Sequence, residues 1–172
     1  MDMIYCNTRE NPVITLGYPG ISATPPSVCR TLKKAFNPVD AERAAVLLMA
    51  ELAVLKLDQQ IFRRNLPADK RNGLALTLTG ESPSPQGFRY REFHFRLSGR
   101  NENPETLLRQ FSAIRAGLPG EMFVQVSSIR LKEPVSFVNW EVQKMCFEES
   151  SCSGAIVMTG TMELTVQICF AP

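Results

Sequence analysis

The single histidine of this chain, His94, is the first residue to test for chemistry, because proton transfer and metal binding most often use histidine. It alternates with Phe93 and Phe95, which places it on the polar side of a predicted strand. One histidine excludes a multi-histidine metal site, and a Ser-His-Asp or Cys-His arrangement would have to use this residue. The pattern is typical of a lone surface histidine.

Two adjacent carboxylates, Glu148 and Glu149, have the residue type needed for paired acid and base work. Neighbouring residues of an extended chain point to opposite sides, so we interpret them as part of a solvated hairpin tip. The glycines are scattered, and neither a phosphate-binding loop nor a dinucleotide-binding motif can be written on the chain. The sequence therefore predicts no catalytic, cofactor-binding or metal-binding residues, and no cofactor.

The cysteines number five, an odd count without the close spacing of a zinc site or a redox pair. Cys146 and Cys169 lie in strand patterns, where a thiol behaves as a small core residue, and Cys152 falls in a predicted loop. We expect mostly free thiols, with those of Cys146 and Cys169 reduced and inaccessible. The remaining two are Cys6 and Cys29.

Arginine and aromatic residues interleave between positions 88 and 100, a composition that can stack on single-stranded nucleic acid. The arginines concerned are Arg89, Arg91, Arg96 and Arg100. Period two divides them, since Arg91 shares a face with Phe93 whereas Arg96 falls with Tyr90. The net charge is only +2, from 19 basic and 17 acidic residues spread along the chain. We therefore do not expect a nucleic-acid site, and alternating charge on a strand also discourages unwanted edge pairing.

His94 and the neighbouring arginines lie on a predicted alternating strand that leads directly into a capped helix. Phe93, Phe95 and Leu97 share one face of the strand. After a predicted turn at 99–103, Asn103 can accept from free amides at the start of a helix, and Pro104 fixes φ where no amide hydrogen is needed. The helix has one apolar stripe, formed by Leu107, Phe111, Ile114 and Leu118.

Further elements are predicted on both sides of this unit. A helix from Pro38 to about Leu57 is apolar around most of its circumference and should be mostly buried. Val138, Trp140 and Val142 are predicted to share one strand face, and a phase shift after Val126 indicates a bulge. Other strands are predicted at 13–16, 74–79, 122–129 and 156–170, with a short edge segment at 61–62, a polar loop at 81–87 and a hairpin tip at 148–154.

The composition fits one soluble domain, with 172 residues, 44% of them apolar and 21% charged. Residues 1–36 predict a Pro-rich arm that either reaches a neighbouring subunit or folds back on its own domain. Residues 37–172 predict a single α+β domain, with a mostly antiparallel sheet of about four to five strands and two helices packed on one face. No signal-peptide pattern or apolar run of membrane-spanning length is present, so we expect a cytosolic protein.

The order of segments carries a family resemblance. An apolar helix is followed by Ile61-Phe62 with Asn65-Leu66-Pro67, the strand at Leu74, a Pro/Gly loop, and the passage Phe-Arg-Leu-Ser-Gly-Arg at 95–100, which leads into an Asn-Pro helix. This order, over residues 40–170, resembles the tail terminator and minor capsid (head–tail joining) proteins of long-tailed bacteriophages. The likeness lies in the order of segments more than in identity.

The resemblance implies an α/β fold with helices against one sheet, and a ring, commonly a hexamer, that caps the tail tube and joins it to the head. It implies a structural protein of a phage or prophage virion, assembled in the host cytoplasm, with no enzymatic activity or cofactor. Expected partners are further copies of the chain, tail-tube proteins and head-connector proteins, and no membrane. The Pro-rich arm and long final hairpin depart from the family pattern, so terminator, joining protein and tube component all stay open.

Other functions remain possible from the residues alone. The principal alternative is a non-enzymatic module that binds a small ligand or a protein, which predicts a pocket in a monomer. An enzyme and a protein that binds single-stranded nucleic acid are two further candidates.

Overall fold

The computed structural model describes residues 2–5, 13–17, 38–85, 90–118, 123–132 and 134–169. The helices are α1 (Pro38–Ala53) and α2 (Pro104–Gly117). The strands are β1 (Asp2–Tyr5), β2 (Val13–Gly17), β3 (Ile61–Arg63), β4 (Gly73–Pro83), β5 (Tyr90–Asn101), β6 (Phe123–Ser127), β7 (Val135–Cys152) and β8 (Ala155–Cys169). Several predictions fall outside the described residues, namely those on Cys6, Cys29, Phe88, Arg89, Met122 and Phe170.

The described strands form one sheet in the order β1-β2-β6-β7-β8-β5-β4-β3. Neighbours are antiparallel except β3 and β4, which run parallel. The α+β class with two helices is confirmed, but the predicted four to five strands were too few, and the sheet is mixed. The additional strands lie at its edges. β1 and β2 come from the predicted arm, where Ile14 is buried opposite Val126.

α1 is buried on most sides, as predicted, because its small and aliphatic residues pack against both the other helix and the sheet. It contacts α2 and four strands of the sheet. The helix ends at Ala53, earlier than the predicted Leu57. There, the amide of Leu55 bonds to the carbonyl of Ala50 at 2.8 Å and that of Val54 to the carbonyl of Glu51 at 3.4 Å, while Val54 turns the chain with a φ of 53°. These bonds complete a Schellman cap, which stops the helix.

α2 forms as its sequence predicts. The side chain of Asn103 accepts from the amide of Glu105 at 3.0 Å, which satisfies one of the free donors of the first turn. Leu107, Phe111 and Ile114 are fully buried. The preceding strand β5 continues to Asn101, so the predicted turn at 99–103 is shorter than expected.

One hydrophobic cluster joins the two helices to one face of the sheet. Its strand residues alternate, as period two requires, and the opposite face of β5 and β8 carries polar side chains. Members of the cluster include Leu74, Leu76, Phe93, Phe95, Leu97, Phe137, Trp140, Met162, Leu164, Val166 and Ile168. Helices therefore cover one side of the sheet, and the other side carries polar residues along β5 and β8 together with a small buried apolar cluster in β6 and β7.

A bulge in β7 separates two residues that were predicted to share a face. Asn139 has a φ of 58°, and the register against β8 shifts after Val138. Val138 therefore packs with Phe123, away from the helices, whereas Trp140 packs against Phe137 with ring centroids 5.0 Å apart. The predicted common face is wrong for Val138, because the extra residue reverses the alternation.

Two irregular segments were also predicted incorrectly. The phase shift after β6 is a turn and not a bulge, since the amide of Leu131 bonds to the carbonyl of Ser128 at 3.0 Å. Residues 81–83, predicted as loop, continue β4 and pair with β5 as far as Pro83. A proline is tolerated there because it ends the strand.

The final hairpin is longer and its tip tighter than predicted. Ser153 and Gly154 have φ values of 49° and 79°, the left-handed pair of a two-residue turn, so residues 148–152 belong to β7. Cys152 is accordingly a buried strand residue and not a loop residue. Cys169 is buried as predicted, but Cys146 is exposed, which corrects its core assignment.

Candidate functional site: an arginine-lined pocket and an open strand edge

His94 lies on the polar face of β5, as the sequence predicts. Its Nε2 atom is 3.3 Å from the hydroxyl of Ser82 and 3.4 Å from the carboxylate of Glu92. Among the described residues, no group of three or more His, Cys, Asp or Glu side chains is placed to hold a metal ion. No helix within the described ranges is long and apolar enough to span a membrane.

The arginines near β5 have partners within the protein. Arg91 pairs with Glu81, and the Nε of Arg96 donates to Glu163 at 2.8 Å. Arg100 donates to two backbone carbonyls, those of Pro67 and Lys70. The three interleaved arginines that the structure describes thus join β5 to its neighbours and to the loop before β4. Glu148 and Glu149 are exposed successive residues of β7 and are not brought together.

A buried carboxylate links α1 to the outer strands of the sheet. Glu42 is 4% exposed and lies on the helix face that meets β3 and β4. Its Oε1 accepts from Arg63 at 3.0 Å and from Arg64 at 3.2 Å, and its Oε2 accepts from the amide of Leu78 at 2.8 Å. β3 has ended before it could pair with Leu78, so the carboxylate replaces a strand partner for that amide.

Beside this carboxylate, α1, β3 and two loops enclose a cavity of about 470 Å³. Its lining consists of Arg43, Val46, Leu47, Leu57, Asp58, Arg63 and Arg130. This volume lies within the usual range of small-molecule pockets, about 300 to 1,000 Å³. The apolar residues come mainly from α1, and the charged ones surround them.

Local backbone geometry brings the two loops to the pocket. Asp58 has a φ of 59°, and its amide bonds to the carbonyl of Ile61 at 2.8 Å, which turns the chain from α1 into β3. The turn after β6 places Arg130 opposite, where its Nη1 is 3.8 Å from the Oδ2 of Asp58. Sequence reasoning missed this pocket because its residues come from four separated segments. The available signal was the charged start of this helix, where Glu42 and Arg43 precede an apolar run.

The second candidate site is the edge of β7. β6 pairs with β7 only from Val135 to Val138. From Asn139 to Cys152, β7 pairs with β8 on one side and with no other strand among the described residues. Most side chains from 141 to 151 are exposed. Along this length, the backbone N–H and C=O groups that point away from β8 are placed to hydrogen-bond to an added strand.

The tip of the same hairpin is docked on the protein. Arg71 donates to the carbonyl of Ser153 at 2.7 Å, and the thiol of Cys152 lies 3.4 Å from the carbonyl of Ala68. Nearer the core, Phe147 packs on Phe111 with centroids 5.2 Å apart. The hairpin is therefore fixed at both ends, and its long edge is better placed than its tip to meet another chain.

Comparison with known proteins adds no family to this picture. A scan against protein-family models found no match, and a search of curated proteins found no similar sequence.

Proposed function

We propose that the protein is a structural subunit of a phage or prophage tail, a tail terminator or head–tail joining protein that assembles into a ring on the tail tube. It acts through contacts between copies and with tail-tube and head-connector proteins, without catalysis. Its place is the virion, after assembly in the host cytoplasm. The order of segments, from the apolar helix to the terminal hairpin, is the basis for this family.

The open edge of β7 is the observation that supports self-association best. A long strand edge exposes backbone donors and acceptors that a strand of a neighbouring copy can satisfy. A ring needs two different patches that meet in a repeated contact, and this edge supplies one of them. Natural edges are usually shortened or covered, whereas 14 residues of this one, Asn139 to Cys152, have no second strand partner in the described part of the chain.

Proline substitutions on the edge test the assembly. Ser150 and Ser151 are adjacent and exposed, so one directs its amide toward β8 and the other away from it. Ser150→Pro and Ser151→Pro should therefore differ in melting temperature. The variant that keeps the parent's melting temperature has lost only an outward amide, and it should assemble less in analytical ultracentrifugation and on isolated tail tubes.

The parent protein supplies the decisive control. We expect closed rings of one size at high protein concentration or in the presence of tail tubes. A parent that stays monomeric under both conditions, or that turns over a small molecule in a reaction requiring His94, would overturn the proposal.

A second candidate is a non-enzymatic module that binds a ligand, and the pocket beside α1 is the observation that favours it. This function predicts binding by a single chain. It is distinguished from the first by ligand titration of the monomer.

A further inference from the structure

The pocket beside α1 has charged walls above an apolar floor. Val46, Leu47 and Leu57 form the apolar part; Leu57 is half-buried and supplies most of the apolar surface a ligand can reach, since Val46 and Leu47 are only 3% and 4% exposed. Three guanidinium groups and one carboxylate provide the charge. A site of this composition favours a ligand with an apolar body and an anionic end.

The three arginines are not equally available to a ligand. Arg63 donates to the buried carboxylate of Glu42 at 3.0 Å, so that carboxylate balances its charge at hydrogen-bond distance. Arg43 and Arg130 have only long ion pairs, at 3.6 Å to Asp40 and 3.8 Å to Asp58. In the described ranges neither guanidinium group donates a hydrogen bond, although the backbone amide of Arg130 donates to the hydroxyl of Ser128 at 3.2 Å.

Those two side chains also remain in contact with water, with exposed fractions of 45% for Arg43 and 41% for Arg130. A guanidinium with free donors binds a carboxylate through two parallel hydrogen bonds, which are stronger than neutral ones. An incoming anion would also replace Asp58 as the partner of Arg130, because Asp58 is itself 70% exposed and its contact is long.

We propose that this pocket binds a small monocarboxylate with an aliphatic body, its carboxylate held by Arg43 and Arg130 and its chain lying on Val46, Leu47 and Leu57. The pocket lies within one chain, so its occupancy is independent of assembly through β7. Arg63 serves to fix the wall by its bond to Glu42.

The test is a calorimetric titration of the full chain with octanoate, using 1-octanol as the neutral probe of equal chain length. We expect octanoate to bind about tenfold more tightly than octanol, since only the carboxylate uses the guanidinium donors. Octanoate should also raise the melting temperature, because it binds the folded state. Added salt should weaken octanoate binding without affecting that of octanol.

The double variant Arg43→Gln/Arg130→Gln should lose this preference for octanoate, whereas the control Arg109→Gln should keep it. Arg109 is an exposed residue of α2 that does not line the pocket. The salt dependence of the parent protein gives a second measurement that needs no variant. Equal binding of octanoate and octanol, binding unaffected by salt, or no binding of octanoate would overturn the proposal, whatever the state of assembly.

Discussion

Strands β4 and β7 each extend beyond one neighbouring strand, and the two unpaired edges differ in what lies against them. β4 continues past the end of β3, and there the carboxylate of Glu42 accepts from the amide of Leu78 while two arginines surround it. β7 continues past β6, and its edge carries exposed side chains with no comparable buried acceptor among the described residues. The first edge is closed at Leu78 from within the chain, and the second is open to a partner.

The difference shows that an edge can be closed by a side chain as well as by a strand. A buried carboxylate can accept a hydrogen bond from an unpaired backbone amide, and neighbouring arginine side chains then balance its charge. The open edge is instead interrupted by the bulge at Asn139 and by a second register shift before Lys144. Such irregularities limit pairing near the core and leave the regular stretch beyond Lys144 as the surface for a partner.

Removing one carboxylate from each edge gives the largest predicted contrast. Glu42→Ala leaves two arginines and the Leu78 amide without their acceptor and should lower the free energy of unfolding by about 3 kcal/mol. The control, Glu149→Ala on the open edge, should change it by less than about 0.5 kcal/mol. Urea unfolding measures both. Similar losses for the two variants would contradict the distinction between a closed and an open edge.

A smaller contrast concerns two turns, the one that ends α1 and the one at the tip of the β7–β8 hairpin. Val54 and Ser153 both adopt left-handed backbone, with φ values of 53° and 49°. Val54 is 87% exposed, so Val54→Gly loses little packing, relieves the strain of a β-branched residue and should stabilise the protein by about 0.5–1 kcal/mol. Ser153→Gly should gain less, because the serine hydroxyl bonds to the carbonyl of Asp69 at 3.5 Å. Thermal melts in which Ser153→Gly gains as much as Val54→Gly would contradict this explanation.

Thiol labelling sharpens the comparison without altering stability. Cys146 lies exposed on the open part of β7, whereas Cys152 is buried at the docked tip of the same strand. Cys146 should therefore react rapidly with a maleimide in the native protein, and Cys152 should react slowly until the protein unfolds. Mass spectrometry of peptides after timed labelling identifies each thiol. Equal rates would mean that the hairpin tip does not stay docked.

Much of the core could be predicted from local patterns. The α2 stripe, its Asn103 cap and the alternation through Phe93 and Phe95 are properties of neighbouring residues, so the sequence contains all the information needed. The location of His94 on the polar face follows in the same way. The full strand count could not be predicted, because β1 is only four residues long and forms through its pairing with β2.

The sequence by itself determined the α+β class, the burial of α1 and the period of the long strands, because these depend on residue type and spacing within one segment. Tertiary structure alone decided the closure of β4 by Glu42, the pocket between Arg43 and Arg130, and the open edge of β7. Each depends on segments far apart in the chain meeting in space, or on one strand ending before its neighbour. Such meetings are set by the packing of the whole sheet against its helices, which no local pattern encodes.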